Sequence, residues 1–366
     1  MFSKKSHKPD YFLMGLIFIM VVAGLVILAS ASSELGKIKF NDSYYFLKHQ
    51  ILFGLSLGLM GFLVAYFIPY KNYRPASFAL LILSIILLAL VFTTAGITSG
   101  GASRWLKIGP ISFQPAEIVK LTFILYLAAW LSNVKMNRGS DFWTGFLPFV
   151  LISGFIGTLL LFQPATSTVL ILMGAGMIMY FISGARIAHI GIVVFAGLAA
   201  LSLIIWLTPY RLQRITTFFN PQNDISHTSY QINQALNAIG SGGVWGVGYG
   251  RSASKSNYLP APIDDSIFAV VGEELGFIGS GVLVILFGLL VFRLFWLARN
   301  TRDKFGQLIL VGFGSLVAFQ SLVNMGAISG LMPLTGVPLP FISYGGTALA
   351  VFMTLSGMAI NITKYG

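Results

Sequence analysis

Long apolar segments recur along the whole chain, and they limit its fold more than any other feature of the sequence. About ten of them reach the ~17–25 residues that an α-helix needs to cross a bilayer. Backbone groups in lipid must be hydrogen-bonded internally, and a β-barrel predicts short alternating strands instead. The sequence therefore predicts an all-α integral membrane protein with a single polytopic domain over residues 1–366. The predicted transmembrane helices are 11–32, 47–68, 76–95, 115–133, 143–162, 166–183, 187–207, 266–292, 306–328 and 344–363.

The distribution of charge predicts the orientation of the chain. Charged residues make up only 9% of the sequence, and the net charge is +12. With the N-terminus inside, more than half of the 23 lysines and arginines fall in inner loops and tails, as the positive-inside rule requires. This placement argues against nucleic-acid binding and predicts a multi-pass membrane protein with both termini cytoplasmic. The chain has no cysteine, which excludes disulfides and thiolate metal sites.

Two predicted outer loops are longer than the others. Residues 96–114 form a loop of moderate length, and residues 208–265 form a segment of nearly sixty residues. Loops beyond ~12–15 residues are usually functional or disordered. The longer one contains Trp, Tyr, Phe and Pro, so we expect it to be ordered and folded onto the membrane face. Within it, "SYQINQALNAIG" (229–240) predicts an amphipathic interfacial helix with Ile232, Leu236 and Ile239 on one side.

Basic residues on the predicted outer side need another explanation, because they do not help the chain to insert. An arginine side chain presents a planar fork of donors that suits phosphate oxygens. These outer cations are therefore candidates for holding an anionic substrate, with anchoring to lipid headgroups as the alternative. The candidates are Arg104, Lys107, Arg211, Arg214 and Lys255.

Two oppositely charged residues lie inside the predicted fourth span, in "QPAEIVKLTFILYL". Glu117 and Lys120 are three residues apart, so they share one helix face and can pair. Charges within a membrane are costly and usually face a cavity or a partner. We predict a pair that lines a polar outer cavity, and a purely structural ion pair is the alternative.

Four of the eleven acidic residues fall in "YLPAPIDDSIFAVVGEELGFIG" (258–279). Prolines precede Asp264 and Asp265, and a helix is predicted to start at about Ser266, where its dipole favours carboxylates. An N-cap role explains one aspartate but not both. Glu273 and Glu274 lie two turns deeper, and we expect them to pack between helices, with one pairing to a basic group. The preceding glycine-rich stretch "GSGGVWGVGYGRS" (240–252) follows no strand, so turns are favoured over a phosphate-binding loop.

Seven ordered motifs extend over nearly the whole chain. They are "GASRWLKIGP", "QPAEIVKL", "YRLQRITTFFNP", "YQINQALNAIGSGGVWGVGYG", "KSNYLP", "DDSIFAVVGEELGFIG" and "NMGAISGLMPLTGVPLPFISYGGT". Together these motifs resemble the SEDS family (shape, elongation, division and sporulation), whose members include FtsW, RodA and SpoVE. The "FNP", "YGRSASKSNYLP" and "GEELG" segments are most similar to the division member, FtsW.

The resemblance implies a ten-helix glycosyltransferase of the bacterial cytoplasmic membrane that polymerises lipid II, in division at the septum. The family's essential aspartate corresponds to Asp265, with Asp264 and Ser266 in place of its usual Thr and Phe neighbours. Two family acids are missing here: "QPDLGT" has become "QPATST", with Ala165, and "YLPEA" has become "YLPAP". The predicted substrate-binding residues are Arg104, Lys107, Glu117, Lys120, Arg211, Arg214, Lys255, Asp264 and Asn324.

The implied reaction is a single displacement with inversion. A sugar hydroxyl attacks an anomeric carbon, Asp265 takes the proton as general base, and undecaprenyl diphosphate leaves. A divalent cation, Mg²⁺ or Mn²⁺, is compatible with this chemistry, although no metal-ligand spacing is visible. The implied partners are lipid II, the nascent glycan strand, a class B penicillin-binding protein with transpeptidase activity, and other division membrane proteins. The alternatives are a lipid II flippase, the elongation paralogue and a non-catalytic scaffold.

Overall fold

The computed structural model describes residues 8–94, 96–99, 102–109, 111–133, 138–219, 227–255 and 259–365. Ten apolar helical segments lie where the sequence predicts spans, so the helical membrane fold is confirmed. Eight of them are long and apolar enough to cross a bilayer. The other two, α6 (Pro115–Leu131) and α8 (Thr166–Ile182), have 17 residues each, at the lower end of the spanning range. The spanning segments are α1 Tyr11–Ala31, α3–α4 Tyr45–Phe67, α5 Tyr73–Leu90, α6 Pro115–Leu131, α7 Leu147–Phe162, α8 Thr166–Ile182, α9 Ile187–Leu207, α12 Ile267–Asn300, α13 Lys304–Ile328 and α14 Gly346–Tyr365.

Shorter helical pieces complete or join these spans. A π-helical stretch, Gln50–Leu55, links α3 (Tyr45–His49) to α4 (Ser56–Phe67), and a second, Phe142–Phe146, leads into α7. Tyr70–Asn72 forms a 3₁₀ turn before α5, and α2 (Ser33–Phe40) follows α1. The core lies around α6, α13 and α14, whose residues are buried along most of their length, whereas α9 buries only His189.

The first predicted outer loop, between α5 and α6, differs from the all-helical expectation. It forms a three-stranded antiparallel sheet of β1 (Gly96–Ser99), β2 (Ala102–Ile108) and β3 (Ile111–Phe113). Leu106 is buried while its neighbour Lys107 is exposed, which is the alternation of a half-buried strand. The sequence predicts only a loop here, because the strands are short and lie between two long apolar runs.

The long segment between α9 and α12 contains two helices, α10 (Pro209–Phe219) and α11 (His227–Gly242). α11 confirms the helix predicted at 229–240, but its buried face differs from the expected one. Ala235 and Ala238 are buried with Ile232, whereas Leu236 is 41% exposed. Small side chains allow the two backbones to approach, and α11 packs along α12 rather than presenting a broad apolar face to lipid. Residues 220–226 and 256–258 of the predicted loop lie outside the described residues.

α12 is interrupted at Gly276, where φ is +66°. The loop that follows α11 enters this break, and the backbone N–H groups of Phe277 and Ile278 donate to the carbonyls of Gly243 and Val244. A Cβ at Gly276 would overlap the backbone of Gly246, which explains glycine at this crossing. The glycine-rich stretch is therefore a set of structural turns, as the sequence analysis favoured.

Candidate active site

Asp265 lies directly before α12, at the N-terminal end of that helix. Ser266 occupies the N-cap position and no side-chain cap is formed, so the expectation that one aspartate caps α12 is wrong. One carboxylate oxygen of Asp265, Oδ2, accepts a hydrogen bond from Gln231 Nε2 at 3.3 Å. The other, Oδ1, is buried without a hydrogen-bond partner among the described residues. One carboxylate oxygen of Asp265 is therefore oriented by Gln231. The other can still accept a hydrogen bond, because no described residue donates to it.

The main chain around Asp265 is held from two sides. Asn324 Nδ2, on α13, donates to Asp265 O at 2.8 Å and to Val337 O at 2.7 Å. The Ser343 hydroxyl donates to Asp264 O, and the Tyr344 N–H donates to Ile263 O. The segment 263–265 is thus fixed between α13 and the loop that precedes α14.

Burial among protein atoms makes both aspartates weaker acids. It raises the pKa of Asp264 to about 7, helped by the charge of Asp265 and opposed by Lys39. Burial also raises the pKa of Asp265, although the hydrogen bond from Gln231 and the charge of Arg214 oppose the change. The Asp264 side chain is nevertheless accessible to solvent. It therefore lies in a recess that is surrounded by protein atoms but open to solvent. A carboxylate with a raised pKa is a better proton acceptor near neutral pH.

Two of the predicted anion-binding residues, Arg214 and Arg211, lie on the same side of the bundle as Asp265. Arg214, on α10, donates to Leu334 O at 3.1 Å, and its charge acts on Asp265. Arg211 donates to Thr208 Oγ1 and, at 3.3 Å, to Leu161 O. Each of these arginines thus holds a main-chain carbonyl and also places positive charge on this side of the bundle.

Arg104, on β2, holds the turn between α7 and α8. Its Nε donates to Gln163 O at 2.9 Å and its Nη2 to Pro164 O at 2.8 Å. Lys107, further along β2, has an exposed side chain. Ala165 occupies the N-cap position of α8 without a side-chain hydrogen bond, so the acid missing from "QPATST" is also a missing cap.

Lys255 is placed differently from the sequence prediction. Its side chain is 4% exposed and forms an ion pair with Glu274 Oε1 at 3.1 Å. Its Nζ also donates to Gly250 O at 2.8 Å and to Ser30. Because its three N–H groups have acceptors inside the protein, the predicted role as an anion clamp is wrong for this conformation. The pairing of one of the two glutamates with a basic residue is confirmed.

Glu273 binds the same loop as its neighbour, and it has no ion pair within the described residues. It accepts hydrogen bonds from the Ser252 hydroxyl and, at 3.0 Å, from the Ala253 N–H. Glu274 accepts one from the Ser30 hydroxyl at 2.6 Å. The two glutamates therefore attach the loop after α11 and the end of α1 to α12, as expected for helix packing.

Glu117 and Lys120 form the predicted pair, with Lys120 Nζ 2.7 Å from Glu117 Oε1. Both side chains are buried, with Glu117 4% exposed and Lys120 0% exposed. Lys120 also donates to Gln320 Oε1 at 2.8 Å. Asn324 is 1% exposed with both amide N–H groups engaged. The structure thus corrects the prediction of direct substrate contact for Glu117, Lys120 and Asn324: all three are buried between helices.

Gln231 and Tyr344 are candidate site residues that the sequence analysis missed. Gln231, on α11, donates to Asp265 and, at 3.0 Å, to Ser266 Oγ. The Tyr344 hydroxyl is 2.8 Å from His49 Nδ1, and burial raises the pKa of Tyr344 to about 12, with the charge of Asp264 adding to the effect. The motif "YQINQ" contains Gln231, but an uncharged amide in an amphipathic helix carries no signal of this contact.

A mainly apolar groove of about 280 Å³ adjoins the site at Tyr344. It lies between the outer part of α3–α4, the small sheet, α6 and the start of α14. Its lining includes the side chains of Phe53, Leu57, Trp105, Phe113, Val351 and Thr354. The groove offers an apolar surface beside the polar recess of Asp264 and Asp265.

No group of three or more His, Cys, Asp or Glu side chains that could hold a metal ion occurs in the part of the chain that the structure describes. Asp264 and Asp265 are the carboxylates near Arg214 to which a divalent cation would bind. Mg²⁺ is commonly bound by one or two carboxylates together with substrate phosphates, so these residues fit a cation that arrives with its substrate.

Comparison with known proteins supports the family resemblance. The family profile described as "Cell cycle protein", which covers FtsW, RodA and SpoVE, matches residues 11–366. The chain is 37% identical to stage V sporulation protein E of Bacillus subtilis, over 99% of this chain and 98% of that protein. It is 38% identical to a probable peptidoglycan glycosyltransferase FtsW of Trichlorobacter lovleyi, over 95% of this chain and 92% of that protein.

Two solved structures have the same fold. One comes from work on the structural coordination of polymerization and crosslinking by a peptidoglycan synthase complex, with a TM-score of 0.80, 28% identity and 98% of both chains covered. The other is the rod shape determining protein RodA of Thermus thermophilus, with a TM-score of 0.70, 27% identity and 98% of both chains covered. The chain therefore belongs to the FtsW, RodA and SpoVE family of cell cycle proteins.

Proposed function

We propose that the chain is a peptidoglycan glycosyltransferase that polymerises lipid II into glycan strands at the outer face of the cytoplasmic membrane. The observation that carries this proposal is Asp265, a carboxylate with a raised pKa at the outer end of a membrane helix, beside Arg214 and Gln231. Several relatives bear the name probable peptidoglycan glycosyltransferase FtsW. The direct test is reconstitution of the purified chain in liposomes with lipid II, scored for polymer, with Asp265→Asn as the inactive control.

The chemistry follows from the positions of the charges. The acceptor hydroxyl oxygen forms a bond to the anomeric carbon of the donor, and its proton passes to Asp265. The bond from that carbon to the diphosphate oxygen breaks, and undecaprenyl diphosphate leaves with the electron pair. Attack opposite the leaving group inverts the anomeric carbon. Arg104, Arg211 and Arg214 place positive charge at the outer rim, where it would stabilise the departing diphosphate.

The groove at Tyr344 supports a lipid-linked substrate. Its apolar walls and its position beside the aspartates suit a molecule with a long hydrocarbon chain and a polar, anionic head. When bound, a divalent cation would neutralise part of the diphosphate charge, and Asp264 is the accessible carboxylate that would hold it. A septal role in division and a class B penicillin-binding partner complete the proposal. They are supported by the similarity to FtsW proteins and to a subunit of a peptidoglycan synthase complex.

A lipid II flippase is the main rival. A flippase needs a polar route through the bilayer for a large anionic head. The buried charges of α6 pair with each other, and Lys120 also donates to Gln320 of α13. The part of α12 beyond Gly276 is apolar as far as Arg293. These features favour an enzyme that meets its substrate from the outer side.

The rate of polymerisation is expected to fall as the pH is lowered through the raised pKa of Asp265, where the base takes up its proton. A raised pKa keeps a carboxyl protonated to higher pH, and a protonated carboxyl cannot act as a base. Asp264→Asn removes the neighbouring negative charge, so the pKa of Asp265 should decrease and the acidic limb should move to lower pH. Initial rates measured from pH 5 to 9 check this, and an unmoved or upward-shifted limb in Asp264→Asn would contradict it.

The proposed orientation is testable because the chain has no cysteine of its own. Arg251, in the long outer segment, and Arg302, between α12 and α13, both have exposed side chains. In intact cells, a membrane-impermeant thiol reagent is expected to label Arg251→Cys and to label Arg302→Cys only after permeabilisation. The opposite pattern would show that the termini are outside the cell and that the active site faces the cytoplasm.

A further inference from the structure

A chain of buried hydrogen bonds connects the Glu117–Lys120 pair to the main chain of Asp265. Lys120 Nζ donates to Gln320 Oε1 at 2.8 Å, and Gln320 Nε2 donates to Pro338 O at 2.8 Å. The carbonyl of the preceding residue, Val337 O, accepts a hydrogen bond from Asn324, which also donates to Asp265 O. The connection therefore passes from α6 through α13 to the loop before α14 and to the start of α12.

The spacing on α13 explains how two side chains reach neighbouring carbonyls. Gln320 and Asn324 are four residues apart, so they lie one above the other on the same helix face. Both are buried, at 0% and 1% exposure. Their amide groups meet Pro338 O and Val337 O, which are adjacent in the chain.

The loop itself needs such partners. Its sequence, "MPLTGVPLPF" (332–341), contains three prolines, which lack the N–H that regular secondary structure uses. Its buried carbonyls must therefore be satisfied by side chains or by water. Gln320 and Asn324 supply two of these hydrogen bonds, so they help to set the path of the loop.

Lys120 decides which way the amide of Gln320 faces. An ammonium group can only donate, so the carbonyl oxygen of Gln320 must point to Lys120 and its NH₂ group to Pro338. Glu117 in turn holds Lys120 by the ion pair at 2.7 Å. Without the cation, the amide could rotate by half a turn and present an oxygen to the carbonyl of Pro338, which would repel it.

We propose that Gln320 is a positioning residue, through which the buried Glu117–Lys120 pair sets the position of the loop at 337–338 and of the Asp265 main chain. The inference rests on the proposed function for its effect on the rate, but the loop geometry can be tested without any activity. Glu117 and Lys120 thus position the loop through Gln320. They are buried in this structure and do not contact substrate directly.

Two substitutions at Gln320 separate its two hydrogen bonds. Gln320→Met keeps a similar shape and removes both. Gln320→Glu keeps an acceptor for Lys120 but offers Pro338 O no donor when ionised. If the link to the loop is what matters, both variants are expected to lower kcat by about tenfold, with KM for lipid II changed by less than about twofold. A Gln320→Glu variant with wild-type kcat would overturn the proposal.

A spin label at Thr335→Cys reports the loop directly, since the chain has no other cysteine. Both Gln320 variants are expected to increase the mobility of the label. The double variant Glu117→Gln/Lys120→Met leaves no unpaired charge. It is expected to increase the mobility of the label when Gln320 is present. In the Gln320→Met background it is expected to cause no further increase. Unchanged label mobility in Gln320→Met would overturn the proposal even if the protein proved to have no polymerase activity.

Ser321→Ala is the matched control on the same helix. Ser321 is also buried, but its hydroxyl donates only to carbonyls of α13 itself, at Val317 and Ala318. It is expected to leave kcat and label mobility unchanged. If Ser321→Ala reproduced the effects of Gln320→Met, the loop would respond to any disturbance of α13, and the specific role of Gln320 would be wrong.

Discussion

Asp265→Asn is expected to lower lipid II polymerisation by about 10²-fold or more, while the protein still folds into the membrane. The substitution keeps the size of the side chain and its capacity to accept from Gln231 Nε2, which is 3.3 Å from Oδ2. It removes the basic oxygen that would take the acceptor's proton. Initial rates in liposomes measure the effect, and the thermal unfolding midpoint in detergent shows that folding is retained.

The neighbouring residues provide the controls for this prediction. Asp264→Asn is expected to cause a smaller loss, because Asp264 acts on the site through its charge. Gln231→Ala removes the side chain that orients the carboxylate, and an intermediate loss is expected, restored in part by Gln231→Asn. If Asp265→Asn still formed polymer and Asp264→Asn did not, the base would be Asp264. If both formed polymer at the wild-type rate, the proposed mechanism would be wrong.

Lys255→Met is expected to destabilise the fold by about 3–5 kcal/mol. The methionine fills similar space, but Glu274 loses its cation while it remains 4% exposed. A buried carboxylate without a counter-charge is costly, even though Ser30 still donates to it. The double variant Lys255→Met/Glu274→Gln should lose less stability than the sum of the two single variants, because no charge remains buried. Unfolding in detergent followed by circular dichroism measures these changes.

The ion pair of Lys48 with Asp42 is the natural control. Its two atoms are 2.7 Å apart, closer than in the buried pair, yet the Lys48 side chain is 69% exposed. Solvent screens such a pair, so Lys48→Met is expected to leave the unfolding midpoint unchanged. Strict additivity of the Lys255 and Glu274 variants, or an equal loss in Lys48→Met, would contradict the assignment of Lys255 as a structural cation.

The sequence alone was sufficient for the features that depend on neighbours along the chain. The apolar runs predicted where the ten spanning helices lie, because crossing a bilayer requires a continuous stretch of one length and polarity. The pairing of Glu117 with Lys120 followed from their spacing of three residues on one helix. The position of Asp264 and Asp265 directly before α12 followed from the prolines that precede them and the apolar run that follows.

The tertiary structure decided which side chains meet across different helices. Lys255 had the same outer position and charge as the arginines at the rim, but the fold places it against Glu274 and Ser30. Gln231, Gln320 and Asn324 gave no charge signal, yet their amides hold Asp265 and its loop. A local pattern fixes the face of a helix on which a residue lies, but the partner on that face depends on how helices far apart in the chain pack together.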